Sequence, residues 1–334
     1  GPTDLSGVST TPSARPTATI AMRDDGEEAV LARAQVIARR STTGRLLPAL
    51  ARLLERLRSG CSARELAAAV HTSPDLATRV LRLANSAAYA PRRPITSLDR
   101  AIAFIGDIAL RQLVLVTAVL ARASATPDRT VRYAVARLNA DAVRTATVAR
   151  GLAARTGWWE PSEAFTLGLV AELGQVELVE YGGPPYAELV LRALDPDATA
   201  PTELALVGTT HTAVGRALAE AWSLPESVAT VMAAHHHLVP TPSKPGDPGR
   251  GRPTEVDLVR AAAWLVRDGL APSPVPPEVI GERCEAALAA LGLERTTLRS
   301  ELEALRPVVA ELLTVFDLGV ADPSGGQSDR GATV

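Results

Sequence analysis

Residues 73–120 read SPDLATRVLRLANSAAYAPRRPITSLDRAIAFIGDIALRQLVLVTAVL, and this stretch decides the fold. Ser73 is a good N-cap residue and is followed by a proline, which fits the first position of a helix, so a helix is expected to begin here. Ser97 opens a second helical segment, whose apolar residues share one face up to Gly106. The stretch therefore predicts consecutive helices that are joined by a proline-containing loop.

The same helical spacing of apolar residues runs through the rest of the chain. No segment shows the alternation of apolar and polar residues that is typical of a half-buried strand. The sequence therefore predicts an all-α fold. Helices are expected near 24–40 and 46–57, from the capping box Ser62–Glu65, from Ser73 and Ser97, and over 110–120, 128–155, 161–171, 175–181, 184–194, 202–208, 211–221, 225–236, 255–268, 276–290 and 297–317.

The composition limits the function. The 334 residues carry 35 basic and 37 acidic side chains, a net charge of −2, so no overall positive field exists and the chain is not expected to coat DNA. Lys244 is the only lysine, which argues against a P-loop and against Schiff-base chemistry. The two cysteines, Cys61 and Cys284, are far apart and offer neither a C-x-x-C zinc pair nor a disulfide framework.

The chain is expected to be cytoplasmic and not to enter a membrane, because its longest apolar run, 113–121, is too short to span a bilayer. Stretches rich in Ser, Thr, Pro and Gly suggest the boundaries of the folded part. The expected organisation is a disordered tail over 1–22, an N-terminal helix over 23–44, a helical core over 45–240, a Pro/Gly-rich loop over 241–254, C-terminal helices that complete the core over 255–320, and a second disordered tail over 321–334.

Several motifs in a fixed order resemble the HDOD family, the HD-related output domains of bacterial signalling proteins. The resemblance covers roughly residues 45–270 and implies a multi-helix HD-like bundle that acts in bacterial signal transduction. The N-terminal helix near 24–40 and the helices after 270 fall outside the resemblance and are expected as additions to this bundle. The elements that carry the resemblance are Leu47-Pro48, LRLANSAAY at 81–89, the I-x-S-L-x-x-A-I pattern at 95–102, Gly106, FTLGLVAELG at 165–174, H-x-x-V-G at 211–215, W-x-L-P from Trp222 to Pro225, and His235-His236.

The resemblance also bears on catalysis, because catalytic relatives of this fold hold metal ions with a His, a His-Asp pair and a distal Asp. The matching positions here carry Asp141 for the first His, Ala171-Glu172 for the pair, and Trp264 for the distal Asp. An alanine cannot bind a metal. The chain is therefore expected to have no catalytic residues, no metal and no cofactor.

Histidines remain near these positions. His211, one residue of the pair His235-His236, and Glu172 or Asp141 could form a degenerate metal site. Adjacent helical residues point about 100° apart, so at most one histidine of the pair is expected to share a centre with His211. The favoured interpretation makes the histidines buried polar groups that hydrogen-bond to the backbone or to Glu172.

Two further sets of polar residues have a structural and a functional interpretation. Asn85 and Ser86 either contact a partner or, as favoured, hydrogen-bond the backbone and fix the turn toward Pro91. Trp222 and Pro225 are family-motif residues that we interpret as structural. On the long helix, one stripe of arginines could grip phosphates, although Asp141 between two of them favours an ion-pair ladder worth about 0.3–0.5 kcal/mol per pair; the stripe consists of Arg137, Arg144 and Arg155.

The sequence thus predicts a non-catalytic signalling or regulatory protein that acts by binding an unknown protein partner or a ligand. One alternative is a receptor for a nucleotide second messenger, a cyclic dinucleotide such as cyclic di-GMP. Another is a metal-dependent phosphohydrolase. The C-terminal leucines either cover the core or form a homodimer, and covering is the favoured interpretation.

Overall fold

The computed structural model describes residues 24–40, 62–120, 126–192, 196–236, 253–270 and 277–318. Every regular element in these ranges is an α-helix, which confirms the predicted all-α fold. The helices are α1 (Asp24–Arg40), α2 (Ala63–His71), α3 (Pro74–Ala84), α4 (Leu98–Leu120), α5 (Arg129–Thr156), α6 (Pro161–Val170), α7 (Leu173–Leu191), α8 (Pro196–Val207), α9 (His211–Ala221), α10 (Glu226–Ala234), α11 (Glu255–Gly269), α12 (Pro277–Ala290) and α13 (Arg295–Val315).

Local sequence signals set the helix starts. The Ser62 side chain accepts a hydrogen bond from the Glu65 backbone, and the Glu65 carboxylate accepts one from the Ser62 backbone, which is the predicted capping box. Ser73 caps α3 through its hydroxyl, and Asp128 caps α5 by accepting from the Val131 amide at 2.9 Å. Helix α8 begins at Pro196, earlier than the predicted 202, since a proline fits the first turn of a helix.

Two helices bend at glycines. Gly106 in α4 has φ 79° and Gly183 in α7 has φ 63°, backbone conformations that residues with a Cβ rarely adopt. The sequence predicts separate helical segments on either side of each glycine. The structure shows the two segments in direct succession, with the bend at the glycine itself.

Helix α5 lies at the centre and packs against α6, α7, α11 and α13. Its predicted apolar face is buried, as expected from the helical spacing: Val131, Val135, Leu138, Ala142, Ala149 and Leu152. The larger core cluster lies mainly among α2 to α10, and a second cluster joins the C-terminal half of α5 to α11, α12 and α13. In α13, Leu298 and Leu302 are buried against this second cluster, so they cover the core.

Some predictions concern residues outside the described ranges. These are the tails 1–22 and 321–334, the helix over 46–57 with Leu47-Pro48, Cys61, and nearly all of the loop that contains Lys244. Among the described helices, none has the length and apolar character needed to cross a membrane.

Candidate functional site

Four side chains from different parts of the chain converge inside the described bundle: Glu172, His211, His235 and His236. Glu172 lies in the turn between α6 and α7, His211 is the first residue of α9, and the two adjacent histidines come directly after α10. One potential ligand atom from each residue lies within 4.8 Å of the others. Side chains at most 18% exposed form this cluster, which we call the His–Glu cluster.

The prediction that only one histidine of the adjacent pair faces His211 is wrong. The Nε2 atom of His235 lies 3.4 Å from Glu172 Oε2, and the Nε2 atom of His236 lies 3.2 Å from Glu172 Oε1. The angular argument assumed that both residues are helical. Because α10 ends at Ala234, His235 is the C-cap and His236 lies in the following turn, where the chain can direct both rings to one point.

Two glycines allow the backbones around the cluster to approach closely. A Cβ at Gly174 would lie 2.0 Å from the carbonyl oxygen of His211, and a Cβ at Gly215 would lie 2.9 Å from that of Met232. Helix α7 therefore touches the start of α9, and α9 touches α10, only because these positions lack side chains. Both glycines belong to the motifs that carry the HDOD resemblance, and their contacts bring Glu172, His211 and His235 together.

Hydrogen bonds fix the orientation of two imidazole rings. Nδ1 of His211 lies 2.8 and 2.9 Å from the two carboxylate oxygens of Glu203, and Nδ1 of His235 lies 2.9 Å from the Val231 carbonyl oxygen. A nitrogen that faces a carboxylate or a carbonyl donates its proton. In the neutral rings the lone pair then resides on Nε2, the atom that points into the cluster.

Sequence reasoning missed Glu203. Its carboxylate is fully buried in α8, accepts from the backbone amide of His211 at 3.0 Å, and accepts from the Tyr186 hydroxyl at 2.5 Å. Burial and the Glu203 charge hold the pKa of Tyr186 well above its usual value, so the phenol stays a donor. The available signal was weak: Glu203 is the one acidic residue in the predicted helix 202–208.

The protonation states in the cluster depend on one another. Burial alone would raise the pKa of Glu172, but His235 and His236 outweigh it and hold that pKa well below its usual value. Burial and the charge of His235 lower the pKa of His236 to about 3. Burial lowers the pKa of His211, but the Glu203 charge and hydrogen bond outweigh it and leave this pKa above its usual value. An ionised carboxylate and a neutral imidazole, the states favoured for Glu172 and His236, are the forms that bind metals.

The residues fit a metal ion. Three buried atoms, Glu172 Oε2, His211 Nε2 and His235 Nε2, have no hydrogen-bond partner among the described residues, although buried polar atoms normally have one. A tetrahedral zinc shell with bonds of about 2.0–2.1 Å places neighbouring ligand atoms about 3.3 Å apart. Glu172 Oε1 lies 3.2 Å from His236 Nε2, and Glu172 Oε2 lies 3.4 and 3.8 Å from Nε2 of His235 and His211, near that spacing. All four ligand atoms lie within 4.8 Å of one another, so the side chains would close in slightly around an ion.

The arginine stripe of α5 binds groups of this chain. Arg144 contacts Asp141 at 2.6 Å, and the Nε atom of Arg137 lies 3.9 Å from the same carboxylate, so the predicted ladder is present. Arg137 also donates to the Leu191 carbonyl oxygen at 2.9 Å, and Arg155 instead pairs with Glu301 of α13. Asp141 is thus engaged by arginines and is not among the four residues of the His–Glu cluster.

The remaining predicted residues have structural surroundings. Asn85 donates to the carbonyl oxygens of Leu81 and Ile95, both at 2.8 Å, and accepts from the Ile95 amide at 2.7 Å, which confirms its predicted role in the turn. For the Ser86 hydroxyl the prediction is wrong, because this buried group has no partner among the described residues. Trp222 ends α9, Pro225 precedes α10, Ala171 is buried, and Trp264 packs in the second core cluster.

Comparisons with known proteins agree with this architecture. An uncharacterized Treponema pallidum protein is 26% identical over 188 residues; the match covers 54% of this chain and 34% of that protein, so the chain spans about a third of the curated relative's length. The model of the HDOD domain matches residues 46–238.

Three solved structures share the fold. An HDOD domain protein of unknown function from Geobacter sulfurreducens is 22% identical, with 88% of this chain and 100% of that chain covered and a TM-score of 0.60. A Shewanella amazonensis protein, provisionally named a phosphohydrolase, is 21% identical over 86% and 98% of the two chains, with a TM-score of 0.57. A Marinobacter aquaeolei protein, provisionally named a signal transduction protein, is 20% identical over 90% and 68%, also at 0.57. Since the family model covers more than half of the sequence, the chain belongs to the HDOD domain family.

Proposed function

We propose that this protein is a non-catalytic signalling module that acts by binding, and that its His–Glu cluster holds one divalent transition metal ion as a structural centre. The observation that carries the proposal is the convergence of three imidazole nitrogens and one carboxylate, three of whose atoms are buried without hydrogen-bond partners among the described residues. Imidazole and carboxylate ligands in a tetrahedral arrangement suit Zn²⁺.

The ligand number argues for a structural ion. Catalytic zinc sites keep three protein ligands and one open position for water or substrate, whereas structural sites use four protein ligands. Here four side chains would complete the shell, and Ala171 stands where a catalytic relative would supply a further histidine. An ion in this site would hold together the α6–α7 turn, the start of α9 and the end of α10.

Charge balance supports the same occupant. Two buried carboxylates, Glu172 and Glu203, flank His211, and burying uncompensated charge is costly. The positive charge of a protonated His211 compensates part of it. A divalent cation coordinated by neutral imidazoles would compensate both carboxylates, one as a direct ligand and one through the His211 ring.

Signalling is supported by the HDOD resemblance and by the name of the Marinobacter structure. A cyclic dinucleotide receptor is less well supported, since Arg137, Arg144 and Arg155 all have partners within the chain. Hydrolysis, which the name of the Shewanella structure suggests for that protein, would require an open metal position. The protein partner, a homodimer and a cytoplasmic location stay predictions.

The test measures metal content and hydrolysis on the same samples of the 334-residue chain. We expect about one zinc ion per chain by mass spectrometry, lost on His211→Ala and retained on His71→Ala, an exposed histidine paired with Asp99. We also expect no hydrolysis of cyclic di-GMP or of a nitrophenyl phosphodiester with zinc, manganese or iron present.

The two parts of the proposal fail separately. A metal-free protein after zinc loading would overturn the metal centre. Turnover that disappears on His211→Ala would overturn the non-catalytic assignment, because it would show that a substrate reaches the site.

A further inference from the structure

A cavity separate from the His–Glu cluster lies between α3, the α3–α4 loop, α4, α5, α6 and α13. Its volume is about 240 Å³. None of the four cluster residues lines it. The proposed function does not use this cavity, so a ligand bound in it would not depend on the metal.

The walls of this cavity are largely apolar. Leu83, Ile105, Phe165 and Leu312 contribute side chains from four different helices. Ile108, which is 64% exposed, and Val308, which is 37% exposed, also line it, so the cavity reaches the surface between α4 and α13. Apolar walls of this kind favour the hydrocarbon part of a ligand.

Part of the cavity wall is polar and includes the positively charged Arg150. Arg150 donates to the Oε1 atom of Gln112 at 2.8 Å, its one hydrogen bond to a described residue. No described carboxylate lies within ion-pair distance of Arg150. The Nε2 atom of Gln112 is buried and has no hydrogen-bond partner among the described residues. Both side chains line the cavity, so unused donors of a cation and an amide meet at one place.

We propose that this cavity binds a small amphipathic carboxylate, with the carboxylate on Arg150 and Gln112 and the hydrocarbon part against Ile105, Phe165 and Leu312. A guanidinium group matches the two oxygens of a carboxylate. The size agrees, because an apolar cavity of about 150 Å³ accommodates benzene. A cavity of 240 Å³ therefore accommodates a single ring or a short alkyl chain together with its carboxylate.

The other polar side chains of the cavity have hydrogen bonds within the chain, and the Tyr89 hydroxyl donates to the Ile105 carbonyl oxygen at 3.5 Å. Glu311 accepts a hydrogen bond from the Ala88 amide at 3.1 Å, and the Thr147 hydroxyl donates to the Val143 carbonyl oxygen at 2.8 Å. A positively charged ligand would meet the Arg150 guanidinium. Glu311 also lines the cavity, but Arg150 forms no ion pair with a described carboxylate, so an anion placed against Arg150 gains an attraction that a cation would lose.

The test titrates benzoate and hexanoate into the 334-residue chain and measures binding by calorimetry. Benzamide and hexanol are the uncharged counterparts. We expect saturable binding of at least one carboxylate, at least tenfold tighter than its uncharged counterpart. Arg150→Met should weaken binding at least tenfold. Arg132→Met is the matched control on the same helix, since its guanidinium binds backbone carbonyls at the start of α5 and should leave affinity unchanged.

A second variant keeps the proposal testable if Arg150→Met does not fold. Ala109→Leu fills the cavity without removing a charge and should also abolish binding. The proposal is overturned if neither carboxylate binds at concentrations up to about 10 mM, well above the roughly millimolar affinity of a weak ligand. It is equally overturned if charged and uncharged probes bind alike and Arg150→Met has no effect.

Discussion

At the scale of single residues, the adjacent polar side chains Asn85 and Ser86 are expected to contribute differently to the stability of the fold. Asn85 satisfies three backbone groups, whereas the adjacent Ser86 buries a hydroxyl that has no partner among the described residues. When a side chain that hydrogen-bonds to buried backbone groups is removed, those groups stay buried without a partner, and the protein loses stability. Removing a hydroxyl that has no partner changes stability little. We expect Asn85→Ala to lower the free energy of unfolding by about 2–4 kcal/mol and Ser86→Ala to change it by less than about 0.5 kcal/mol. Urea unfolding measures both, and equal effects would contradict this account.

Glu203 orients a ligand of the proposed metal centre without being a ligand itself. Glu203→Gln keeps the size and an acceptor for His211 Nδ1, but removes the negative charge that raises the basicity of the ring. Residues that hydrogen-bond to a metal ligand without binding the ion typically contribute 10- to 100-fold to metal affinity. We expect about that loss of zinc affinity in competition with a chelating dye. Glu220→Gln, at an exposed ion pair with Arg216, is the control and should bind zinc like the unchanged chain.

At the scale of helices, close approach between backbones is the feature most sensitive to mutation. Gly174→Ala places a Cβ 2.0 Å from the His211 carbonyl oxygen, so α7 and α9 must separate. We expect a loss of about 3 kcal/mol in stability, the upper end of typical overpacking effects, together with loss of zinc binding. Thermal unfolding and metal analysis test both.

A glycine of α5 provides the comparison. A Cβ at Gly151 would meet only Leu305, at an ordinary 3.8 Å. Since alanine favours a helix over glycine by about 0.8–1.0 kcal/mol, Gly151→Ala should stabilise the protein by up to that amount. If Gly174→Ala and Gly151→Ala destabilise the protein equally, separation of α7 and α9 does not explain the loss of stability in Gly174→Ala.

Elements were easier to predict from the sequence than the site. Caps such as Ser73 and Asp128 act within four residues, and the apolar face of α5 repeats with the period of one helix, so local patterns were sufficient. The convergence of His235 and His236 depends on where α10 ends, a boundary that local signals fix only within a few residues. Glu203 joins the cluster through tertiary packing between α8 and α9, which no spacing in the sequence records.

At the scale of the whole molecule, metal binding should increase the thermal stability of the protein. An ion that binds only the folded chain stabilises it by about 2.7 kcal/mol at 100 times its dissociation constant. We expect EDTA to lower the Tm of the unchanged protein by several degrees and zinc to restore it. The Tm of the His211→Ala variant should respond to neither, and a Tm that is indifferent to EDTA in the unchanged protein would argue against a bound ion.

The order of the cluster residues along the chain has a consequence for the route of folding. Helices α7 and α8 lie between Glu172 and His211, and α9 and α10 lie between His211 and His235. A bound ion would therefore act as a reversible cross-link that closes two consecutive loops, which an unfolded chain could form only at a large entropic cost. Helix α8 lies inside the first of these loops and carries Glu203, so undocking of that helix would remove the carboxylate that orients the His211 ring. The ion would thus keep the middle of the chain closed even when its ends fray.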